Sequence, residues 1–179
     1  MADHSTLLAV LGSIQARGAI GSSSLDDAVA HAGRFVSLVP VDARRLVDLG
    51  SGGGLPGLVI ADALPELEIV LVERREMRAD LLRRAVRALG ASERVRVYGG
   101  DVQAIAATEA GQFDVVTARS FASPNITARW ASVLVRVDGV VLVSEPPEAP
   151  AERWPAATLE PLGLHDRGVD QGIRVLGRH

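Results

Sequence analysis

Short apolar runs that alternate with segments of helical periodicity constrain the fold of this chain most strongly. Five such runs occur, and the stretch "VVLV" at 140–143 shows that they lack polar alternation. Strands of this kind are typical of parallel sheets that are covered on both faces. The predicted strands are 44–49, 68–73, 94–99, 113–118 and 139–144, and the predicted helices are 5–18, 24–38, 56–64, 75–89, 101–108 and 124–135. The alternation predicts an α/β fold with a Rossmann-like, doubly wound and mostly parallel sheet.

The C-terminal part of the chain departs from this alternation. A proline-rich connection at 145–155 precedes two apolar runs, 157–165 and 172–178, which are joined through 166–171. We expect these runs to form a terminal antiparallel hairpin that completes a seven-stranded sheet. A length of 179 residues suits one domain. Its predicted parts are N-terminal helices (1–40), a cofactor-binding core (44–144) and the terminal hairpin (156–178).

Composition excludes several classes of function. The chain has no cysteine, which rules out disulfides, thiolate metal sites and a cysteine nucleophile, and no pair of histidines has the spacing of metal ligands. The net charge of −3 argues against a strongly basic nucleic-acid-binding domain, although a local basic face remains compatible with it. No apolar run has the length of a membrane span, and the N-terminus lacks the layout of a signal peptide. We therefore expect a cytoplasmic protein without a metal.

The stretch "LVDLGSGGGLPG" at 46–57 connects the first predicted strand to a helix. Its glycines, which include Gly50, Gly52 and Gly54, allow positive φ and let a ligand approach the backbone. The N-terminus of the following helix adds unpaired N–H groups, and ligands of doubly wound sheets bind at this edge. The pattern predicts a ligand site, although a glycine-rich turn on its own is also compatible with plain loop architecture.

Two further strand ends carry acidic residues. Glu73 ends the second strand, where a carboxylate can accept hydrogen bonds from both hydroxyls of a ribose. Asp101 follows the third strand, where it can receive the exocyclic amine of an adenine or simply cap the next helix. Together with the glycine loop, these positions outline a site shaped for adenosine.

The residues around the loop favour one adenosine compound. The chain has no lysine and hence no standard P-loop. Asp48 directly precedes the loop, where its carboxylate would repel a pyrophosphate but would suit a cationic amino acid. We therefore predict S-adenosyl-L-methionine, with Asp48 at its methionine end, and keep a nicotinamide dinucleotide as the alternative.

Two motifs resemble a known family. The segment "DLGSGGGLPGL" at 48–58 resembles motif I of class I methyltransferases, and its "GLPG" ending is similar to the glucose-inhibited division protein B family. Members of that family methylate a guanine N7 of 16S ribosomal RNA in the small subunit. The segment "FDVVTARSFASP" at 113–124 resembles the family's fourth-strand motif Arg-x-Phe-Ala. The resemblance covers roughly residues 25 to 145.

The resemblance also implies site residues. Arg119 would lie beside the transferred methyl group as the catalytic residue, and the alternative for Arg119 is a structural salt bridge at the strand end. Phe121 is a candidate for contacting a flipped base, whereas His31 is expected to pack or to lie at the surface. The implied cofactor-binding residues are Gly50, Ser51, Gly52, Gly54 and Leu55 in the loop, Glu73 and Arg74 after the second strand, and Asp101 and Val102 after the third.

One departure from the family bears on the substrate. The fifth strand of family members ends in a lysine–glycine pair that faces the RNA, but this chain reads "VSEPP" with Glu145 and Pro146. An acidic residue thus occupies a position where a phosphate-binding cation is expected. The leading hypothesis is a methyltransferase for small-subunit ribosomal RNA. The alternatives are a divergent methyltransferase for a small molecule or a protein, and a cofactor-binding module without RNA activity.

Overall fold

The computed structural model describes residues 4–21 and 24–179; the other residues of the predicted helical region 1–40 lie outside this part. The helices are α1 (His4–Ala16), α2 (Leu25–Val36), α3 (Gly57–Ala63), α4 (Glu76–Ala88), α5 (Val102–Glu109), α6 (Pro124–Leu134) and α7 (Ala156–Leu159). The strands are β1 (Arg45–Leu49), β2 (Glu68–Glu73), β3 (Val95–Gly99), β4 (Phe113–Ala118), β5 (Val135–Ser144), β6 (Leu164–Asp170) and β7 (Ile173–Arg178). One-turn 3-10 helices occupy Ala151–Arg153 and Glu160–Leu162.

The strands form one seven-stranded sheet with the order β3-β2-β1-β4-β5-β7-β6. Strands β1 to β5 pair in parallel, whereas β7 is antiparallel to both β5 and β6. In the centre, Leu49 lies opposite Val72 of β2 and Ala118 of β4, so the carboxyl ends of three strands meet at one edge. The prediction of a doubly wound α/β sheet with a terminal antiparallel hairpin is confirmed.

Alternate residues of the central strands fill two separate cores. Leu46 packs with α1, α2, α3 and α4 on one face of the sheet, whereas Val47 and Leu49 pack with α5 and α6 on the other. Successive side chains of a strand point to opposite faces, so Asp48 shares the face of Leu46. Asp48 is therefore a carboxylate inside an apolar layer, where its solvent-exposed fraction is 0%.

The prediction of a strand at 157–165 is wrong over most of its length. Residues Ala156–Leu159 form α7 and Glu160–Leu162 form a 3-10 turn, so the hairpin occupies 164–178 rather than 156–178. Pro155 immediately precedes α7, and Pro161 lies in the first turn of the 3-10 helix, where a fixed φ is compatible with helical backbone. Leu159 reaches the core from this helix as it would have from a strand, because one buried side chain suits either geometry.

Two other boundaries differ from the prediction. Strand β5 begins at Val135 rather than at 139, because Val135 already pairs with Phe113 of β4. A bulge separates this pairing from that of Val115 with Val140. The segment 166–171, expected as a connection, belongs mostly to β6. Within the described part of the chain, no helix is long and apolar enough to cross a membrane.

Candidate active site

The glycine loop after β1 has a backbone conformation that residues with a side chain rarely adopt. Gly50, Gly52 and Gly54 have φ angles of 67°, 55° and 94°. A Cβ at Gly50 would lie 2.8 Å from Cδ2 of Phe121, and one at Gly54 would lie 2.3 Å from Cδ1 of Leu58. Gly50 and Gly54 therefore require glycine for both conformation and space, whereas Gly52 requires it for conformation alone.

Hydrogen bonds hold the loop against the sheet. The N–H of Ser51 donates to the carbonyl oxygen of Val72 over 2.9 Å, and its hydroxyl donates to the carbonyl oxygen of Asp48 over 3.0 Å. The N–H of Gly52 donates to Oε2 of Glu73 over 3.0 Å. The loop and the end of β2 therefore form one connected unit.

Glu73 remains able to accept further hydrogen bonds. Its side chain is buried, and its Oε1 accepts from the N–H of Arg75 over 2.8 Å in addition to the bond from Gly52. A carboxylate offers about four acceptor positions, so each oxygen keeps one for a ligand. Two such positions, fixed by backbone donors, match the two hydroxyls of a ribose.

A cleft of about 400 Å³ extends from Glu73 along the ends of β2 and β3. Asp101 and Val102 line it together with Arg74, as the resemblance implies. Asp101 caps α5, because its Oδ1 accepts from the N–H of Gln103 over 2.9 Å, so the capping interpretation is confirmed. A cleft of this size is in the range of small-molecule sites.

Apolar side chains cover the cleft from the side of β4. Phe121 lines it, and so do Ile126 and Trp130 of α6. Half of Ile126 is exposed to solvent, which leaves apolar surface beside the cleft. Sequence reasoning missed Ile126 and Trp130 as site residues, and no signal in the sequence links α6 to the ends of β2 and β3.

A second cavity, of about 230 Å³, continues from the first. The two share Gly50, Arg78 and Ser120, and the second is also lined by Ser51, Gly52, Leu55 and Arg119. The segment 19–21, which follows α1, also lines it. Arg78 was missed because the arginine pattern of α4 indicated a solvated face.

Asp48 lies beneath the loop and lines none of these cavities. The hydroxyl of Thr117 donates to its Oδ1 over 2.7 Å, whereas its Oδ2 has no hydrogen-bond partner among the described residues. Burial raises the pKa of Asp48 to about 6, against the opposing effect of the hydrogen bond from Thr117. The structure thus gives Asp48 a charge below the methionine end of the predicted site rather than a direct contact with the cavity.

Arg119 stands where the second cavity meets a third. Its side chain lines both the cavity at the glycine loop and a pocket of about 740 Å³ on the other side. Burial lowers the pKa of its guanidinium, and the charge of Asp48 opposes that shift. Arg119 forms no ion pair with the described residues, so the alternative of a structural salt bridge is wrong.

The third pocket also contains His31 and Ser144, whose Nε2 and Oγ atoms lie 2.9 Å apart. Burial lowers the pKa of His31, and the charges of Arg119 and Arg34 lower it further. The imidazole also contacts the ring of Phe35 edge to face. His31 packs as expected, but it lines this pocket too.

Glu145, the acid that follows β5, is buried rather than presented to solvent. Its side chain is only 4% exposed, and it pairs with Arg153 and Arg174. The indole N–H of Trp154 donates to its Oε1. Two guanidiniums and an indole therefore compensate the charge of this buried carboxylate.

The chain is similar to known proteins over most of its length. The family model described as rRNA small subunit methyltransferase G matches residues 25–152. The chain is 36% identical to Ribosomal RNA small subunit methyltransferase G of Acidothermus cellulolyticus, over 89% of this chain and 69% of that protein. It is 45% identical to the protein of that name from Rhizorhabdus wittichii, over 48% of this chain and 40% of that protein. The chain thus spans well under two thirds of some of these relatives.

Solved structures share the fold. The cofactor-bound protein Rv0187 from MTB superimposes with a TM-score of 0.70 at 21% identity, over 98% of this chain and 90% of that one. An O-methyltransferase from Bacillus cereus in complex with SAH gives 0.63 at 18% identity, over 96% and 88%. At these identities the likeness establishes the Rossmann-like fold alone.

Proposed function

Because the chain belongs to the rRNA small subunit methyltransferase G family, we propose that it is an S-adenosyl-L-methionine-dependent methyltransferase that acts on guanine N7 of small-subunit ribosomal RNA. One observation carries the proposal: Arg119 lies at the junction between the second cavity, at the glycine loop, and a larger pocket lined by arginines. A methyltransferase needs such a junction, because donor and acceptor must meet there. A ribosomal acceptor would also make the cytoplasm the site of the reaction.

The residues present fit S-adenosyl-L-methionine. Glu73 has one free acceptor position on each oxygen for the ribose, and Asp101 and Val102 lie where the adenine would extend. The cavity at Gly50, Ser51, Gly52 and Leu55 would hold the methionine end, with the carboxylate of Asp48 below it. Bound there, the cofactor supplies an electrophilic methyl group on a sulfonium.

The acceptor chemistry asks little of the protein. Guanine N7 has a free lone pair, so its methylation releases no proton and requires no general base. Arg119 at the junction agrees with this, because its guanidinium stays protonated and cannot accept a proton. What the chain must do is hold the base in line and exclude water.

Arg119 is the residue we assign to the acceptor. Its guanidinium can donate a hydrogen bond to O6 of a guanine, which leaves the lone pair of N7 free, or two hydrogen bonds to a phosphate. It is half-buried and unpaired, so its donors are not already engaged by a carboxylate. Phe121, which lines the adjoining cleft, offers an apolar face beside it.

Transfer of labelled methyl groups tests the proposal. Small ribosomal subunits, free metabolites and protein pools are each incubated with labelled S-adenosyl-L-methionine, and the position of the label in RNA is mapped. We expect N7-methylguanine in the small-subunit RNA. Arg119→Ala should lower kcat by at least about tenfold, the loss of one charge-assisted contact, while exposed Arg87→Ala on α4 serves as the control.

Other outcomes separate the alternatives. Label in metabolites or proteins but not in RNA would indicate a divergent methyltransferase. Cofactor binding without transfer to any pool would indicate a binding module. Normal RNA methylation by Arg119→Ala would refute the assignment of Arg119.

A further inference from the structure

The pocket beyond Arg119 has a positive wall. We call it the arginine pocket and define it by Arg34, Arg119, Arg153 and Arg174. Glu145 is the only carboxylate among its described lining residues, and Asp166 pairs with Arg174 from outside the pocket at 2.6 Å. Arg34 and Arg119 have no carboxylate partner in the part of the chain that the structure describes. In a chain with a net charge of −3, this concentration of cations is local.

Glu145 builds one side of this pocket. Its Oε1 accepts from Nε of Arg174 over 3.2 Å, and its Oε2 lies 3.0 Å from Nε of Arg153. The second contact is an ion pair without hydrogen-bond alignment, so Oε2 and that Nε are buried polar atoms with no hydrogen-bond partner among the described residues. Arg153 lies at the end of the one-turn 3-10 helix Ala151–Arg153, which follows the proline-rich segment after β5.

The sequence has no cationic residue at the end of β5, where the family resemblance implies a lysine that faces the RNA. In the structure, Arg153 of a later segment lies against Glu145, which follows β5. Arg153 is a planar donor whose side chain is 28% exposed, so it can reach a ligand while Glu145 holds its Nε edge. Four guanidiniums around one cavity lose hydration, and an uncharged acceptor would not compensate that loss. A phosphodiester would neutralise them and accept their hydrogen bonds.

We propose that the arginine pocket is a phosphate-binding subsite for the acceptor RNA, in which Arg34, Arg119 and Arg153 contact the backbone beside the methylated nucleotide. Glu145 is a positioning residue that acts through Arg153. This assignment rests on the proposed function, since it takes RNA as the acceptor.

The main test is Arg153→Gln, with Arg87→Gln as the matched control on the exposed face of α4. Binding to a transcript of small-subunit ribosomal RNA is measured across salt concentrations, and KM and kcat are measured with small subunits. Loss of one phosphate contact should raise the RNA Kd and KM about tenfold and make the salt dependence shallower by about one unit of slope. Neither kcat nor the calorimetric affinity for S-adenosyl-L-methionine should change, and the control should behave like the wild type.

Glu145 is tested by its dependence on Arg153. Glu145→Gln should weaken RNA binding in the wild-type background but cause no further loss in the Arg153→Gln background. An equal additional loss in both backgrounds would mean a general structural role and would overturn the positioning assignment.

Two failures remain distinguishable. If the wild type methylates RNA but Arg153→Gln keeps the wild-type KM and salt slope, the phosphate subsite is refuted while the proposed function stands. If the wild type binds the cofactor but neither binds nor methylates RNA, the proposed function fails and the subsite fails with it.

Discussion

The buried carboxylate of Asp48 should make the stability of this protein depend on pH in a way that one substitution removes. Burial raises its pKa from 3.8 to about 6. A rise of roughly two pH units, at about 1.4 kcal/mol each, corresponds to about 3 kcal/mol of unfolding free energy. The folded state binds the proton more tightly than the unfolded state, so this contribution is fully present below about pH 4. It is lost as the pH rises through about 6.

Asp48→Asn isolates that contribution. The side-chain oxygen of the introduced asparagine can still accept from Thr117, and the remaining effects of the substitution do not titrate between about pH 4 and 8. Urea unfolding of both proteins across this range should show the wild type losing about 3 kcal/mol relative to the variant between about pH 4 and 7. A difference in unfolding free energy between the two proteins that stays constant across this pH range would refute the argument that burial raises the pKa of Asp48.

The same group should couple to the cofactor. A sulfonium and an ammonium held above Asp48 would stabilise its charged form, so the affinity for S-adenosyl-L-methionine should rise as the pH passes about 6. Calorimetry with the wild type and with Asp48→Asn, in the same buffers, removes the titration of the ligand itself. An equal pH dependence in both proteins would mean that Asp48 does not sense the ligand.

Two further predictions concern the loop and the ribose. Gly54→Ala should destabilise the protein by about 2 kcal/mol or more in urea unfolding, because the added Cβ would lie 2.3 Å from Leu58 and φ is 94°. The control is Gly90→Ala, where φ is 65° but the space around the added Cβ is open. This substitution should destabilise the protein by about 1 kcal/mol. A similar loss in both would mean that the contact with Leu58 does not matter. Glu73→Gln should lower the calorimetric affinity for S-adenosyl-L-methionine about tenfold or more, because an amide cannot accept from two backbone N–H groups and a ribose together. Exposed Glu76→Gln should leave that affinity unchanged, and an equally small effect at Glu73 would argue against the ribose assignment.

The sequence by itself determined the sheet and the loop side of the site. Apolar runs without alternation, each bounded by a turn or a helical pattern, leave few arrangements other than a covered parallel sheet. The glycines of 50–54 and the acid at Glu73 are tied to strand ends, and the carboxyl ends of neighbouring parallel strands meet by geometry. These features depend on short stretches of chain, so they can be read before the fold is known.

Only the tertiary structure decided the acceptor side. The ion pairs of Glu145 form only when the fold brings Arg153 and Arg174 to it, and His31 meets Ser144 across 113 positions of sequence. Trp130 covers the cleft from a helix whose pattern indicated packing alone. The helix at Ala156–Leu159 was mistaken for a strand because a buried leucine fits both geometries in so short a segment. In each case the deciding interaction joins distant segments, and a charge or an apolar side chain does not reveal its partner until the chain is folded.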